Sequence, residues 1–435
     1  MSSRVVRPDN IAATPALGHP TPKIRKSPKK SRDKLFPYYA AFSSAFAQSV
    51  LKQLAQQKLK CVFDPWNGSG TVTLAARFLG LRGAGTDVNP AMVIVAKARL
   101  CDRVAARRIL DGSLKRLQSD EPVPRKVAQT DPLSFWFDEE STSLLRSVMR
   151  SLNVPQMSRL ESRAGHVSAD RAIVVLTAFR TIRKLVSRFR TSNPTWIKRP
   201  GNQSELVSVS WKRFCRLFES EGNKVCRNLH PGHLPRRSLV SVRQCESREL
   251  DLHSASFDIC LTSPPYCTRI DYAIATLPEL AVLFPKARPI DELRDLLIGT
   301  VVVPPRTYQA SPSWGSTCKK MLERVKSHSS KASSSYYFST LVGYFRGLGR
   351  SLQQVRRVLK KKGQLVIVTQ GSYYKNIKID LPKITSEMLT HLGFVKIMAT
   401  PYRNGNSLLN IHNCAGGRTN RSALPEVVQW FKKIK

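Results

Sequence analysis

The sequence predicts a doubly wound α/β domain, built on a mostly parallel sheet and interrupted by a largely helical insertion. Three observations carry that prediction. Short apolar runs alternate with helix-length amphipathic segments in two separate stretches of the chain. The first run stops in a glycine-bearing turn, Asp64-Pro65-Trp66-Asn67-Gly68-Ser69-Gly70-Thr71, which opens straight into a helical pattern. Between about 107 and 238 the alternation gives way to proline-bounded helical stretches and aromatic clusters.

Residues 1–34 are rich in Pro, Ser, Lys and Arg and poor in large apolar side chains, which reads as a basic, disordered arm. From 35 the pattern changes. Phe42, Phe46, Val50 and Leu54 recur at helical spacing and give a helix over 40–54. Cys61-Val62-Phe63 is the first strand, 71–79 a helix, 81–86 a second strand ending at Asp87, and 90–106 another helix. These make the first half of the domain, 35–106. The insertion, 107–238, holds Phe135-Trp136-Phe137, Trp211, Phe214, Phe218 and a very basic helix over 180–190.

The α/β pattern resumes with Leu239-Val240-Ser241-Val242 and a strand over 257–261, which stops at Thr262-Ser263-Pro264-Pro265-Tyr266. Residues 267–335 are irregular, with a helical portion near 277–284. A long amphipathic helix covers 337–359, its apolar face formed by Leu341, Phe345, Leu348, Leu352, Val355 and Leu359. Lys360-Lys361-Lys362-Gly363 suits its end, since cations favour a helix C-terminus and glycine the position just past it. A strand over 364–369, a helix over 379–392 and a strand over 394–399 complete the second half, 239–412. A basic C-terminal segment, 413–435, follows.

Lys and Arg total 71 against 30 acids, a formal net charge of +41. The excess runs through the chain, including 180–190 and 346–362, so it is no mere tail. An enzyme of small neutral metabolites has no need of such a field. A nucleic acid has, because each phosphate neutralised by Lys or Arg releases a condensed counterion. Nine cysteines, none in a C-x-x-C pair or at zinc-finger spacing with histidine, suggest free thiols in a reducing cytoplasm and no metal. No apolar run reaches membrane-spanning length, and no secretory leader is apparent, so no membrane partner is expected.

Two constellations carry chemistry. In the first, Gly68 and Gly70 remove side chains that would keep a ligand from the backbone and from the helix amides. The turn lacks the Lys-Ser/Thr of a phosphate-gripping loop and the G-x-G-x-x-G spacing of dinucleotide folds, which disfavours ATP and NAD. Asp64, at a strand end, can accept from the α-amino group of a cationic amino-acid cofactor. Asp87, at the next strand end, can accept from ribose hydroxyls. The blander alternative is a helix-capping acid and an idle turn.

The second constellation is Thr262-Ser263-Pro264-Pro265-Tyr266. An exocyclic amine on cytosine or adenine is a poor nucleophile, because its lone pair is delocalised into the ring. Two fixed acceptors on its hydrogens free that pair, and the Ser263 hydroxyl and Pro264 carbonyl are the natural ones. Pro264 and Pro265 lock φ and lack N–H donors, so carbonyls are presented rigidly. Tyr266 offers a face on which an extruded base can stack. Val303-Pro304-Pro305-Arg306 shows the bare turn, with neither hydroxyl before nor aromatic after it. Carbon-5 chemistry needs a thiolate, typically a Cys directly after Pro. No Pro-Cys occurs, and Cys267 reads as a small neutral side chain near the pocket.

Together these motifs resemble those of the S-adenosylmethionine-dependent amino-methyltransferases, which make N4-methylcytosine and N6-methyladenine in DNA. The resemblance covers roughly 34–106 and 239–410 and implies a Rossmann-like methyltransferase fold. It assigns S-adenosylmethionine to Asp64, Pro65, Gly68, Ser69, Gly70, Thr71 and Asp87. Cys245-Glu246-Ser247-Arg248, followed by Ser256-Phe257-Asp258-Ile259, is similar to the segment before the catalytic tetrapeptide and puts Glu246 near the adenine. Residues 36–40 resemble the segment over the methionine end. Catalysis falls to Ser263, Pro264, Pro265 and Tyr266, and Ser at 263 leans toward cytosine N4 over adenine N6. In this chain the cofactor motif precedes the catalytic one, the reverse of the commonest order, and Val72 stands where a second Thr is usual.

The insertion matches no known segment and is the candidate target-recognition region. Its Arg180, Arg183, Lys184 and Arg188, with Trp196, are expected to face a duplex for phosphate contact and stacking. The alternative is a solvated basic helix packed through Phe179, Ile182 and Val186. DNA is the expected partner, and a restriction nuclease or another defence-system protein is the companion such enzymes imply. The rivals are an RNA base methyltransferase and a catalytically silent nucleic-acid-binding protein of the same fold.

Overall fold

The computed structural model describes residues 43–119, 121–160, 163–191, 196–231, 239–268, 270–300, 309–402 and 424–434, with isolated positions at 20, 22, 35, 36, 193, 235 and 302. The expected basic arm, 1–34, therefore lies almost wholly outside the described residues, as does the turn at 303–306. The chain opens with helix α1 (Ser44–Gln56), strand β1 (Cys61–Asp64), helix α2 (Thr71–Phe78), strand β2 (Arg82–Asp87) and helix α3 (Pro90–Arg99). Five helices follow: α4 (Arg103–Ser119), α5 (Glu139–Ser151), α6 (Arg163–His166), α7 (Ala169–Leu185) and α8 (Trp211–Asn228). Then come β3 (Val240–Gln244), β4 (Phe257–Thr262), α9 (Tyr272–Ala275), α10 (Leu277–Leu283), α11 (Arg288–Leu296), α12 (Ser316–Lys326) and α13 (Phe338–Val358). Strand β5 (Leu359–Gln370), the hairpin β6 (Ser372–Tyr374) and β7 (Ile377–Ile379), α14 (Leu381–His391), β8 (Phe394–Tyr402) and β9 (Glu426–Lys433) complete it.

Seven strands form one sheet in the order β3-β2-β1-β4-β5-β9-β8. The first five are parallel, and β9 runs antiparallel between β5 and β8. Strand order reverses between β1 and β4. In such sheets the ligand crevice lies beyond the carboxyl ends at that reversal.

Alternating side chains divide the core into two faces. Ile259 and Leu261 of β4 join a cluster with α1, α2, α3, α7 and α8, through Phe46, Val50, Ile94, Phe179 and Phe218. Cys260 faces the other way, into a cluster with Phe345, Leu348, Leu352 and Leu389, and a register shift between Phe257 and Ile259 puts Phe257 on that side too. Helices thus cover both faces, which is the doubly wound arrangement.

Four details depart from the sequence reading. The helix expected over 90–106 is two helices, because Asp102 caps α4 by accepting from Ala105 N at 2.8 Å. The inserted helices do not stand apart: Ile173, Leu176 and Phe179 of α7 share the core of α1–α3. Helix α13 ends at Val358, and the Lys360–Gly363 stretch lies inside β5, with Lys362 at φ 65°. The end of α13 is satisfied instead by Lys433 Nζ, which donates to Arg356 O at 2.7 Å and Leu359 O at 2.6 Å. Finally, the segment set aside as a basic C-terminal piece holds β9. Its apolar run Val427-Val428-Gln429-Trp430-Phe431 drives it into the sheet, with Trp430 1% and Phe431 0% exposed.

Among the described residues no helix is long and apolar enough to cross a membrane, no cluster of ligating side chains could hold a metal, and the cysteines form no disulfide.

Candidate active site

The first motif forms the turn from β1 into α2. Gly68 and Gly70 lie at φ 48° and 83°, the left-handed region that favours glycine. Gly70 has a second constraint. A Cβ there would lie 2.7 Å from Ala96 Cβ, so its absence lets α2 start against α3. Asn67, passed over in the sequence, anchors the turn: its N–H donates to Thr86 O at 2.9 Å, its carbonyl accepts from Gly70 N at 2.8 Å, and Oδ1 accepts from Thr73 Oγ1 at 3.1 Å. Gly85 of β2 makes room for that side chain, since a Cβ there would meet Asn67 Cγ at 2.4 Å. Asn67 Nδ2 and the Trp66 indole Nε1 are buried donors without a partner among the described residues. Pro65 O accepts from Thr86 Oγ1 at 3.3 Å, Ser69 is buried, and Thr71 Oγ1 accepts from Arg99 Nη1 at 3.1 Å.

The two acids lie at adjacent strand ends. Asp64 is 2% exposed, and its Oδ1 accepts from Trp66 N at 3.1 Å and Thr262 Oγ1 at 2.6 Å. Burial pushes its carboxyl up to about 7, against the pull of those two bonds. Asp87 accepts from Gly68 N and Asn89 N, both at 2.9 Å, and burial pushes it up to about 6. Asp87 therefore braces the glycine turn itself. Its carbonyl accepts from Cys245 N at 3.0 Å, which brings the stretch after β3 alongside. Glu246 in that stretch is ion-paired with Arg248, which also donates to Leu296 O at 3.1 Å.

The second motif begins at the buried end of β4. Ser263 Oγ donates to Val368 O at 3.1 Å or to Tyr266 Oη at 3.3 Å. Pro264 is buried, and its carbonyl has no hydrogen bond among the described residues. Pro265 O accepts from Tyr344 Oη at 2.8 Å, so α13 holds the loop. Tyr266 Oη donates to Glu426 Oε1 at 3.2 Å. Burial, then the Glu426 charge, hold the Tyr266 hydroxyl well above its ordinary range. The Cys267 thiol is pushed up to about 12 by burial, which keeps it protonated and unreactive. Glu426 was not anticipated. The apolar run after it signals a strand, but nothing local tells that β9 runs antiparallel and so brings its first residue to this edge.

The basic helix divides. Arg180 and Arg183 point inward, contrary to the expectation that they face a duplex. Arg180 pairs with Glu221 of α8 at 2.7 Å and donates to Leu35 O at 2.6 Å. Arg183 pairs through Nε and Nη2 with the two carboxylate oxygens of Glu279 of α10, which is 0% exposed, and lies over the Phe36 ring. Buried carboxylates need such partners, and these helix faces supply them. Lys184 and Arg188 are exposed, although Arg188 donates to Glu205 O, and Trp196 is 53% exposed. The carboxyl edge of the sheet thus brings together Asp64, the glycine turn, Asp87, Glu246 and residues 263–266, while the basic helix lies apart in two roles.

No protein-family model matches the chain. It is similar to the Type II methyltransferase M.AvaI of Nostoc sp., 28% identical over 449 aligned positions that cover 92% of this chain and 87% of that protein. The Type II methyltransferase M.BsoBI of Geobacillus stearothermophilus is 21% identical over 91% of this chain and 84% of its own length. A third, M.MvaI of Kocuria varians, is 22% identical over 78% of this chain and 76% of its own length.

Proposed function

We propose that the chain is an S-adenosylmethionine-dependent DNA methyltransferase that modifies the exocyclic amine of a base, cytosine N4 in preference to adenine N6. The observation that carries the reading is the hydrogen bond from Thr262 to Asp64. It makes one crevice of the turn suited to a cationic amino-acid cofactor and the tetrapeptide suited to an amine. The similarity to three Type II methyltransferases along most of the chain supports it, as does the +41 charge.

The residues present fit the cofactor. A buried acid with a carboxyl near 7 is converted to its charged form by an ammonium partner, and Asp64 is such an acid. Asp87 and Glu246 would hold the ribose and the adenine, and the buried Trp66 Nε1 and Asn67 Nδ2 donors have no protein partner among the described residues. When bound, the cofactor supplies a methyl group on a cationic sulfur. The chain's own residues hold the amine: Ser263 Oγ and Pro264 O accept its hydrogens, and Tyr266 supports the base plane. Catalysis is positional and electrostatic, without a covalent enzyme intermediate.

Sequencing DNA from expressing cells, with a method that separates N4-methylcytosine from N6-methyladenine, tests the reading. Modified cytosine is expected. Modified adenine would change the base, and unmodified DNA with no cofactor binding by calorimetry would reject the function.

A further inference from the structure

Antiparallel β9 brings a carboxylate to the catalytic edge that the tetrapeptide does not explain. Because β9 runs against β5, its first residue, Glu426, pairs with Gln370, the last residue of β5. Ser263 follows β4 directly and bonds Val368 of the same β5. Three neighbouring strand ends thereby align Ser263 Oγ, Tyr266 Oη and Glu426 Oε1, at successive separations of 3.3 and 3.2 Å. Glu426 is 7% exposed. The carboxylate can only accept, so the Tyr266 hydroxyl donates to it. The Ser263 proton has two acceptors in reach, Val368 O at 3.1 Å and Tyr266 Oη at 3.3 Å, the second completing the line, and with either one the Ser263 lone pairs stay available to an incoming N–H.

We propose that Glu426 is the positioning residue and terminal proton acceptor of a Ser263–Tyr266–Glu426 relay; this rests on the function proposed above. The amine nitrogen bonds the methyl carbon as the carbon–sulfur bond breaks, and that electron pair goes to sulfur. The nitrogen is then cationic and must lose one proton. That proton passes to Ser263 Oγ as the serine proton passes to Tyr266 Oη and the tyrosine proton to Glu426. One N–H bond is lost, one carboxyl O–H bond is gained, and both hydroxyls are restored. Water takes the proton from Glu426 after release of the product. The buried charge also favours the transition state, in which the amine turns positive. A tyrosine hydroxyl held far above its ordinary range stays protonated, as such a relay needs.

The test is single-turnover transfer from tritiated S-adenosylmethionine to unmethylated genomic DNA by the full chain. Glu426→Gln and Tyr266→Phe are each expected to slow transfer roughly 10- to 100-fold, the loss of one proton-transfer partner. Cofactor Kd and the KM for DNA should stay near the wild-type values, because neither change touches phosphate or cofactor contacts. The double variant should be no slower than either single one, as members of one unit are non-additive, and Glu426→Asp should recover part of the rate. A wild-type rate in either single variant, or losses that multiply, would overturn the relay. If Glu426→Gln does not fold, Tyr266→Phe decides alone, since it keeps the stacking ring. A wild-type chain that binds DNA and cofactor yet transfers nothing overturns the proposed function, and the relay with it.

Discussion

Thr262 Oγ1 donates to Asp64 Oδ1 across 2.6 Å, joining the ends of two strands whose residues are 198 positions apart. Thr262→Val keeps the shape and removes the donor, leaving a buried acceptor short of a partner. A stability loss of about 1–3 kcal/mol is expected, the cost of unpairing a buried polar group. Thermal or urea unfolding measures it, and an unchanged midpoint would show that the bond contributes nothing.

Asp64 and Asp87 set a pH dependence. Their folded values, about 7 and about 6, lie above the 3.8 of an unperturbed Asp. Between those limits the folded chain holds protons that the unfolded chain has released, so stability without cofactor declines as pH rises from about 4 to about 7. Cofactor binding is expected to have the opposite slope, because the ammonium partner proposed for Asp64 would select its carboxylate. Affinity should rise about tenfold from pH 6 to pH 7.5, following the ionised fraction. Calorimetry across that range on Asp64→Asn should give a weak, flat profile; an unchanged slope would move the titration to another group.

Asp87→Ala should cost more than cofactor affinity. It unpairs the Gly68 and Asn89 amides together, so a stability loss of about 1–3 kcal/mol should accompany weaker cofactor binding. A variant of full stability that binds cofactor normally would remove Asp87 from both roles.

The inward and outward cations separate cleanly. Arg183→Ala strands Glu279 as a buried charge and should destabilise by about 3–5 kcal/mol. Lys184→Glu with Arg188→Glu should leave the melting temperature near wild type while weakening DNA binding and flattening its salt dependence. Wild-type DNA affinity in that pair would make this face a solvated surface only.

Much of this was legible because punctuation is local. Glycines at 68 and 70 need particular backbone angles, and an acid at each strand end followed by a turn marks the carboxyl edge. The place of residues 263–266 at the end of a strand was legible in the same way, from the apolar run that stops at two prolines. Partnerships were not. Nothing near Arg180 or Arg183 in sequence names Glu221 or Glu279, which arrive from α8 and α10. Strand β9 was missed because its apolar run is short, does not alternate with polar residues, and runs straight into Lys432 and Lys433. Lys360–Lys362 misled in the same way: cations at the end of a helical pattern resemble a cap, yet the capping amine comes from Lys433.

The distances in sequence across the crevice bear on how the molecule is made. Its two key hydrogen bonds span 198 and 160 positions. No early, locally structured species contains either, and contacts of such long range form late because loop closure must come first. The positive charge, by contrast, is spread along the whole chain and needs no folding to attract phosphate. A nascent or partly unfolded chain can therefore cling to a polyanion long before it has any chemistry. Attachment comes early and competence last.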